Sequence, residues 1–195
     1  MYTWGDIQEV TLAKLDLDEG EAEIQNLIAR FPYFANEAIT QISSTIKPKR
    51  TFVEIVITDE NLASIITMPN DFISFGDDVN KVYYEEYGEV IFREAFDDDF
   101  DYLGYNQLLF KRKGKFYISY NARWIDSFVS LDPAVELDIP RDIIDCLPSY
   151  IASQCMKIDD EYKSSVYRNE YEIFLARIDD TDFKNTKTIR IEGDW

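Results

Sequence analysis

Four aspartates near the middle of the chain form its densest group of side chains that could do chemistry. Asp97, Asp98, Asp99 and Asp101 could offer carboxylate oxygens to Ca²⁺, which binds several oxygens at once. The group lacks the DxDxDG spacing of a calcium loop, and Phe100 interrupts it. The pattern therefore favours an exposed, solvated acidic loop between strands, and no metal or cofactor is predicted.

Other catalytic side chains are scarce. The chain has no histidine, which removes Ser-His-Asp and Cys-His catalysis and the commonest zinc ligand. It has no CxxC motif and no glycine-rich phosphate loop. We therefore predict a protein that is not an enzyme. A carboxylate-dependent hydrolase stays open as an alternative, because a catalytic pair of carboxylates need not be close in sequence.

The two cysteines, Cys146 and Cys155, lie in the apolar pattern of one predicted helical stretch. Nine residues of helix separate them by roughly 13 Å of rise, which is too far for a disulfide. They are interpreted as small buried apolar side chains of a protein from a reducing compartment.

A basic cluster follows the aspartates, at the tip of a predicted hairpin. Its members are Lys111, Arg112, Lys113 and Lys115. A charged turn is the simpler interpretation, and the alternative is a loop that contacts an acidic neighbour. Under that alternative, these bases and Asp97, Asp98 and Asp99 would form loops that face a neighbouring subunit or another protein of an assembly.

The net charge of −18 is spread unevenly. Residues 51–138 hold 18 acidic and 7 basic residues, a net charge of −11. Such a field repels phosphate and argues against ordinary or sequence-specific nucleic-acid binding. Solubility is the simplest role for it, and an acidic inhibitor that mimics DNA and binds a host nucleic-acid enzyme is an alternative. No secretion signal or membrane-spanning apolar run is visible, so we expect a protein made in a cytoplasm and not bound to a membrane.

The apolar periodicity changes twice along the chain. Residues 1–50 and 139–181 show helical spacing, whereas residues 51–138 are rich in β-branched and aromatic residues with turn signals. Thr3 and Asp6 have the spacing of a capping box. Hairpins are predicted around Tyr87-Gly88 and around Arg112-Lys113-Gly114. The predicted fold class is α+β, with a helical bundle formed by both chain ends and an inserted antiparallel β module.

Residues 182–195 are predicted to form an extended C-terminal tail. Residues 188–192 alternate with a period of two, and an isolated strand is not stable. The segment could add to the sheet edge of a partner, with the partner-binding side chains Phe183, Ile189, Arg190, Ile191 and Trp195. A frayed terminus, or a strand that folds back on the same chain, is the alternative.

Several segments resemble the head–tail connector proteins (adaptors, or head-completion proteins) of tailed bacteriophages. They are NEAI at 36–39, ELDIP at 136–140, LPSYIASQCMKID at 147–159, YRNEYEIFLARI at 167–178 and the closing GDW. The likeness covers the helical ends, about half of the chain, and the β middle is longer than in the smallest connectors.

The resemblance implies structural work in a virion. Such proteins form a ring, usually dodecameric, beneath the portal protein, with DNA passing through the lumen. Their helices form the ring body, their β module faces the next tail or ring protein, and their C-terminal tail grips the portal. It implies location at the head–tail junction after assembly in the host cytoplasm. In such a ring the acidic middle would line or rim the lumen and let DNA slide.

Overall fold

The computed structural model describes residues 2–17, 22–75, 81–86, 89–94 and 99–185. The chain forms two compact units, one made of Met1–Lys47 with Ser127–Trp195 and the other of Pro48–Asp126. The first holds six described helices and the second eight described strands. The fold is therefore α+β, with helices at both chain ends and an antiparallel β module inserted between them, as the sequence predicts.

The helical unit contains α1 (Trp4–Leu15), α2 (Ala22–Ile28), α3 (Phe31–Thr45), α4 (Arg141–Ile144), α5 (Leu147–Met156) and α6 (Glu161–Asn185). Three of its helices have a recognisable local signal in their first turn. The capping box of α1 is formed, because the Thr3 N–H donates to Asp6 Oδ2 (2.7 Å) and the Asp6 N–H donates to Thr3 Oγ1 (3.2 Å). Pro32 and Pro148 lie in the first turns of α3 and α5, where a proline costs no hydrogen bond.

Helix α5 is the centre of this unit. It contacts α1, α3, α4 and α6, and eight of its ten residues are buried. A short helix that is apolar on all sides is stable only when other helices surround it. Because α1 and α3 come from the N-terminal end and α5 and α6 from the C-terminal end, neither end of the chain can form this core alone.

Residues 127–138 belong to the helical unit, although the sequence predicted that the β module extends to residue 138. Phe128 is buried against Trp4, with ring centroids 4.8 Å apart. The Gly5 N–H donates to the Pro133 carbonyl oxygen (2.8 Å), and the Leu137 N–H donates to the Tyr2 carbonyl oxygen (2.9 Å). The segment therefore completes the surroundings of the first turn of α1.

The β unit consists of two antiparallel sheets. The larger has the order β1 (Lys49–Ile57), β8 (Gly114–Ala122), β4 (Lys81–Glu86) and β5 (Glu89–Glu94), and β3 (Phe72–Phe75) also pairs with β8. The smaller has the order β2 (Ile65–Thr67), β7 (Gln107–Phe110) and β6 (Phe100–Gly104). Alternate residues of strands from both sheets form one apolar core, which includes Ile55, Leu108, Phe110, Phe116 and Ile118.

One predicted hairpin forms and the other does not. β4 and β5 pair antiparallel, as predicted around Tyr87-Gly88. β7 and β8 lie in different sheets, so the predicted hairpin around Arg112-Lys113-Gly114 is wrong. The two strands are separated because each contributes a buried ring to the core between the sheets. Phe110 and Phe116 face each other across this core with ring centroids 4.8 Å apart.

Helix α6 is longer than predicted. Its apolar pattern ends near Ile178, but the helix continues to Asn185. The first four residues of the predicted extended tail, 182–185, are therefore helical, and residues 186–195 lie outside the described part of the chain. Among the described helices, none is both long and apolar enough to span a membrane.

Candidate functional site

The predicted tail contacts fall almost wholly outside the described residues. Ile189, Arg190, Ile191 and Trp195 are not described. Phe183 lies on the last turns of α6, and its side chain is not described. The interpretation of the tail as a portal-binding strand therefore stays a prediction.

The basic cluster binds acids of its own unit. Lys111 Nζ lies 2.7 Å from Asp101 Oδ1, and Lys113 forms an ion pair with Asp59. Lys115 Nζ lies 3.0 Å from Glu54 Oε2 on the neighbouring strand. These pairings favour the charged-turn interpretation over a loop that extends towards a neighbour.

The Glu54–Lys115 pair perturbs the protonation of both groups. The hydrogen bond from Lys115 lowers the pKa of Glu54. Hydrogen bonds with Tyr117 and then with Glu54 raise the pKa of Lys115. Both shifts favour the charged forms, so the pair stays ionised over a wide pH range.

Asp99 is not part of an exposed loop, which corrects the prediction for this residue. Its side chain is 0% exposed and lies 3.5 Å from Arg112 Nη1. Its carbonyl oxygen accepts a hydrogen bond from the Lys111 N–H (2.8 Å), which extends the β6–β7 ladder by one residue pair. Asp101 lies on β6, and Asp97 and Asp98 are outside the described residues.

Within the described ranges, no group of three or more histidine, cysteine, aspartate or glutamate side chains is placed to hold a metal ion. The pKa values of Asp6 and Glu54 are both shifted downward. A general acid needs the opposite direction.

Both cysteines are free and buried, as predicted. Burial raises the pKa of each thiol to about 12. The Cys146 thiol also donates to the Ile143 carbonyl oxygen (2.8 Å). A thiol with such a pKa supplies little thiolate near neutral pH, so these side chains are suited to packing and not to nucleophilic chemistry.

A buried aromatic cluster joins α3, α5 and α6 inside the helical unit. Tyr150 and Tyr171 meet edge to face with centroids 4.9 Å apart, and the Arg168 guanidinium lies over both rings at 5.5 and 5.2 Å. The Tyr171 hydroxyl donates to Gln41 Oε1 (3.3 Å). Arg168 also forms an ion pair with Glu172 at i, i+4 spacing. These contacts hold the inner face of α6 against α3 and α5.

The opposite face of α6 carries a second apolar row, which we call the α6 outer stripe. It consists of Ile158 in the turn before the helix and Tyr162, Val166 and Ile173 on it, with exposed fractions of 86%, 79%, 46% and 56%. Sequence reasoning missed this row. The i, i+4 spacing of residues 158, 162 and 166 was the available signal.

A second exposed apolar surface lies on the β unit. Phe52 and Val56 both lie on the outer side of β1, and each is more than half exposed. Phe52 contacts Tyr117 of β8 with ring centroids 5.8 Å apart. β1 pairs with β8 alone among the described strands, so one of its edges has no described strand beside it.

The chain matches no known family model. It likewise matches no curated protein sequence.

Proposed function

We propose that this chain is a structural virion protein of a tailed bacteriophage. In this proposal it is a ring-forming head–tail connector that docks under the portal and bridges it to the next tail or ring protein. DNA passes through the lumen of the ring. The ring is homo-oligomeric, with twelve copies as the working expectation from the connector resemblance.

The supporting observation is that the four segments of resemblance within the described residues lie in one unit. NEAI lies in α3, ELDIP ends at the N-terminus of α4, LPSYIASQCM forms α5, and YRNEYEIFLARI lies in α6. Their buried apolar residues include Ile39, Leu147, Ile151 and Tyr171. A likeness scattered over unrelated surfaces would carry less weight than one that coincides with a folding unit.

The exposed apolar surfaces also support an assembling protein. A monomer scatters single apolar side chains over its surface, whereas rows and patches are typical of interaction sites. This chain has such surfaces on both units. The acidic inhibitor and the carboxylate hydrolase gain no comparable observation from the described residues.

The direct test mixes the purified chain with the portal protein of the same virus. Complex size is measured by sedimentation velocity, and ring formation by negative-stain electron microscopy. We expect portal-dependent rings. A chain that neither binds the portal nor forms rings with it at micromolar concentration would overturn the proposal.

The structure sharpens the test of the tail. Truncation after Asn185 leaves all of α6 in place and removes Ile189, Arg190, Ile191 and Trp195. Phe183 is tested separately as Phe183→Ala. We expect the truncated chain to lose portal binding while its thermal unfolding stays unchanged. Full binding after truncation would refute the role of the tail and leave the ring proposal standing.

A further inference from the structure

Helix α6 has two apolar faces that require two different partners. Its inner face is buried against the rest of the helical unit through Tyr171, Leu175 and Ile178. Successive residues of a helix turn by about 100°. Val166 and Leu175 are nine residues apart, so they point in opposite directions. The α6 outer stripe therefore lies on the side away from the core, where the described part of the chain leaves it uncovered.

The stripe has the spacing of a helix-pairing seam. The three stripe residues on the helix, Tyr162, Val166 and Ile173, form this seam together with Asn169, which lies on the same face. The four follow one another in steps of four, three and four residues, the pattern that keeps side chains along one face of two paired helices. All four are exposed. Asn169 is the polar member, and a single polar residue in such a seam fixes the register at some cost in affinity.

The residues of the stripe are self-complementary when a second α6 is laid antiparallel. With the centre between Tyr167 and Arg168, Tyr162 of one helix meets Ile173 of the other, and Val166 meets Asn169. Each large aromatic ring thus meets a branched aliphatic side chain. A parallel arrangement would instead place Tyr162 against Tyr162 and Asn169 against Asn169.

The charges beside the stripe favour the same arrangement. Lys163 and Glu170 lie on one flank of the seam, seven residues apart. In an antiparallel pair, residues of the same flank meet, which brings Lys163 of each helix to Glu170 of the other. Glu170 is already oriented by Lys14, whose Nζ lies 2.8 and 2.9 Å from its two oxygens. Two symmetric ion pairs would flank the seam, which lessens the repulsion between two chains of charge −18.

We propose that the α6 outer stripe is an interface for a second copy of this chain, paired antiparallel about a two-fold axis. This inference goes beyond the proposed function and does not rest on it, because a two-fold contact closes a pair and does not generate a ring. The contact is small, so the expected dissociation constant is on the order of tens of micromolar.

Cysteine trapping gives the sharpest test. The pair Tyr162→Cys with Ile173→Cys places two thiols opposite each other in the antiparallel arrangement, and mild oxidation should then link two copies. Tyr162→Cys alone should stay unlinked, because the two introduced thiols, one on each helix, would be roughly 16 Å apart along the axis. The buried native cysteines remain in both variants and serve as an internal control.

Each outcome decides the proposal. Linked dimers from the double variant and monomers from the single variant support it. Linked dimers from the single variant mean a parallel contact, and no linking in either variant means that another partner covers the stripe; both results overturn it.

A second measurement does not depend on oxidation. Sedimentation equilibrium from micromolar to millimolar concentration should show dimers of the native chain, and Val166→Asp should weaken dimerisation at least about tenfold. Val10→Asp is the matched control, since Val10 is 47% exposed on α1 outside the stripe. Equal weakening by both variants, or a native chain that stays monomeric at millimolar concentration, would contradict the proposal. These results are independent of portal binding, so either proposal can fail alone.

Discussion

Phe110 and Phe116 stand six residues apart in the chain and face each other across the core of the β unit, with ring centroids 4.8 Å apart. The chain between them passes from the smaller sheet to the larger one. Gly114 makes this passage possible, because its φ of +149° lies in a region that residues with a side chain rarely adopt.

Substitution of Gly114 should therefore destabilise the β unit. A residue with a Cβ would be strained in this backbone conformation, and its Cβ would lie 3.6 Å from the Phe116 ring. We expect Gly114→Ala to lower the free energy of unfolding by about 1–3 kcal/mol, measured by urea denaturation. Gly104→Ala is the matched control, since its nearest neighbour would be a Gln107 side-chain oxygen at 3.8 Å. Equal effects of the two variants would contradict the role of Gly114.

The buried ring of Tyr171 should dominate the stability of the helical unit. Tyr171 is 0% exposed and contacts Tyr150 and Arg168. We expect Tyr171→Ala to cost about 3–5 kcal/mol, because the cavity left among packed helices cannot close fully. Tyr33→Ala, at an exposed position of α3, should change stability by less than about 0.5 kcal/mol. Comparable losses in thermal unfolding would argue against the described packing.

The capping box of α1 should make stability depend on pH in acid. Hydrogen bonds from the backbone and side chain of Thr3 lower the pKa of Asp6 below its usual value. A group whose pKa is lower in the folded chain stabilises it above the unfolded pKa of about 3.9, and this contribution is lost as the pH falls through the folded pKa. The difference in unfolding free energy between the native chain and Asp6→Ala should therefore be constant near pH 7 and shrink below about pH 4.

The same box gives a second comparison, made at neutral pH. Thr3→Ala removes the acceptor of the Asp6 N–H and should cost about 1 kcal/mol at pH 7. The difference in unfolding free energy between the native chain and Asp6→Ala should not grow on acidification. Growth would have the wrong sign for a lowered pKa and would refute the assigned hydrogen bonds.

The thiols should be unreactive until the helical unit opens. Burial raises the pKa of Cys146 and Cys155 to about 12. We expect no rapid reaction with a thiol reagent at pH 8 in the native chain and two equivalents of reaction in denaturant. Rapid native labelling of either thiol would mean that α5 is not the enclosed centre of the unit.

Local signals in the sequence were sufficient for the start of α1 and for the order of helices and strands along the chain. Thr3 and Asp6 act on each other across three residues, so their effect can be predicted without tertiary contacts. The assignment of residues 127–138 failed because it depends on Trp4, more than a hundred residues earlier in the chain. The pairing of β8 failed for a similar reason, since Phe116 is buried by residues of a second sheet.

For the candidate binding surfaces too, the sequence showed local spacing but not which residues are buried by distant parts of the chain. The spacing in α6 was visible in the sequence, but two apolar rows on one helix cannot be ranked until one of them is buried. Asp99 shows the reverse case: a run of aspartates predicted solvent exposure, and the strand register placed one of them inside. For this chain, the tertiary contacts decide which of the visible patterns is free to bind a partner.

The division of the helical core between the two chain ends also sets an order of events during synthesis. The β unit is contiguous, so residues 48–126 can fold as soon as they leave the ribosome. Helices α1 and α3 must wait for α5 and α6, more than a hundred residues later, which is about 5–25 s at ordinary translation rates. Throughout that interval Phe31, Ile39 and Ile42 lack the C-terminal helices that bury them in the finished protein. A chaperone would therefore be needed most at this stage of synthesis, to cover the N-terminal helices.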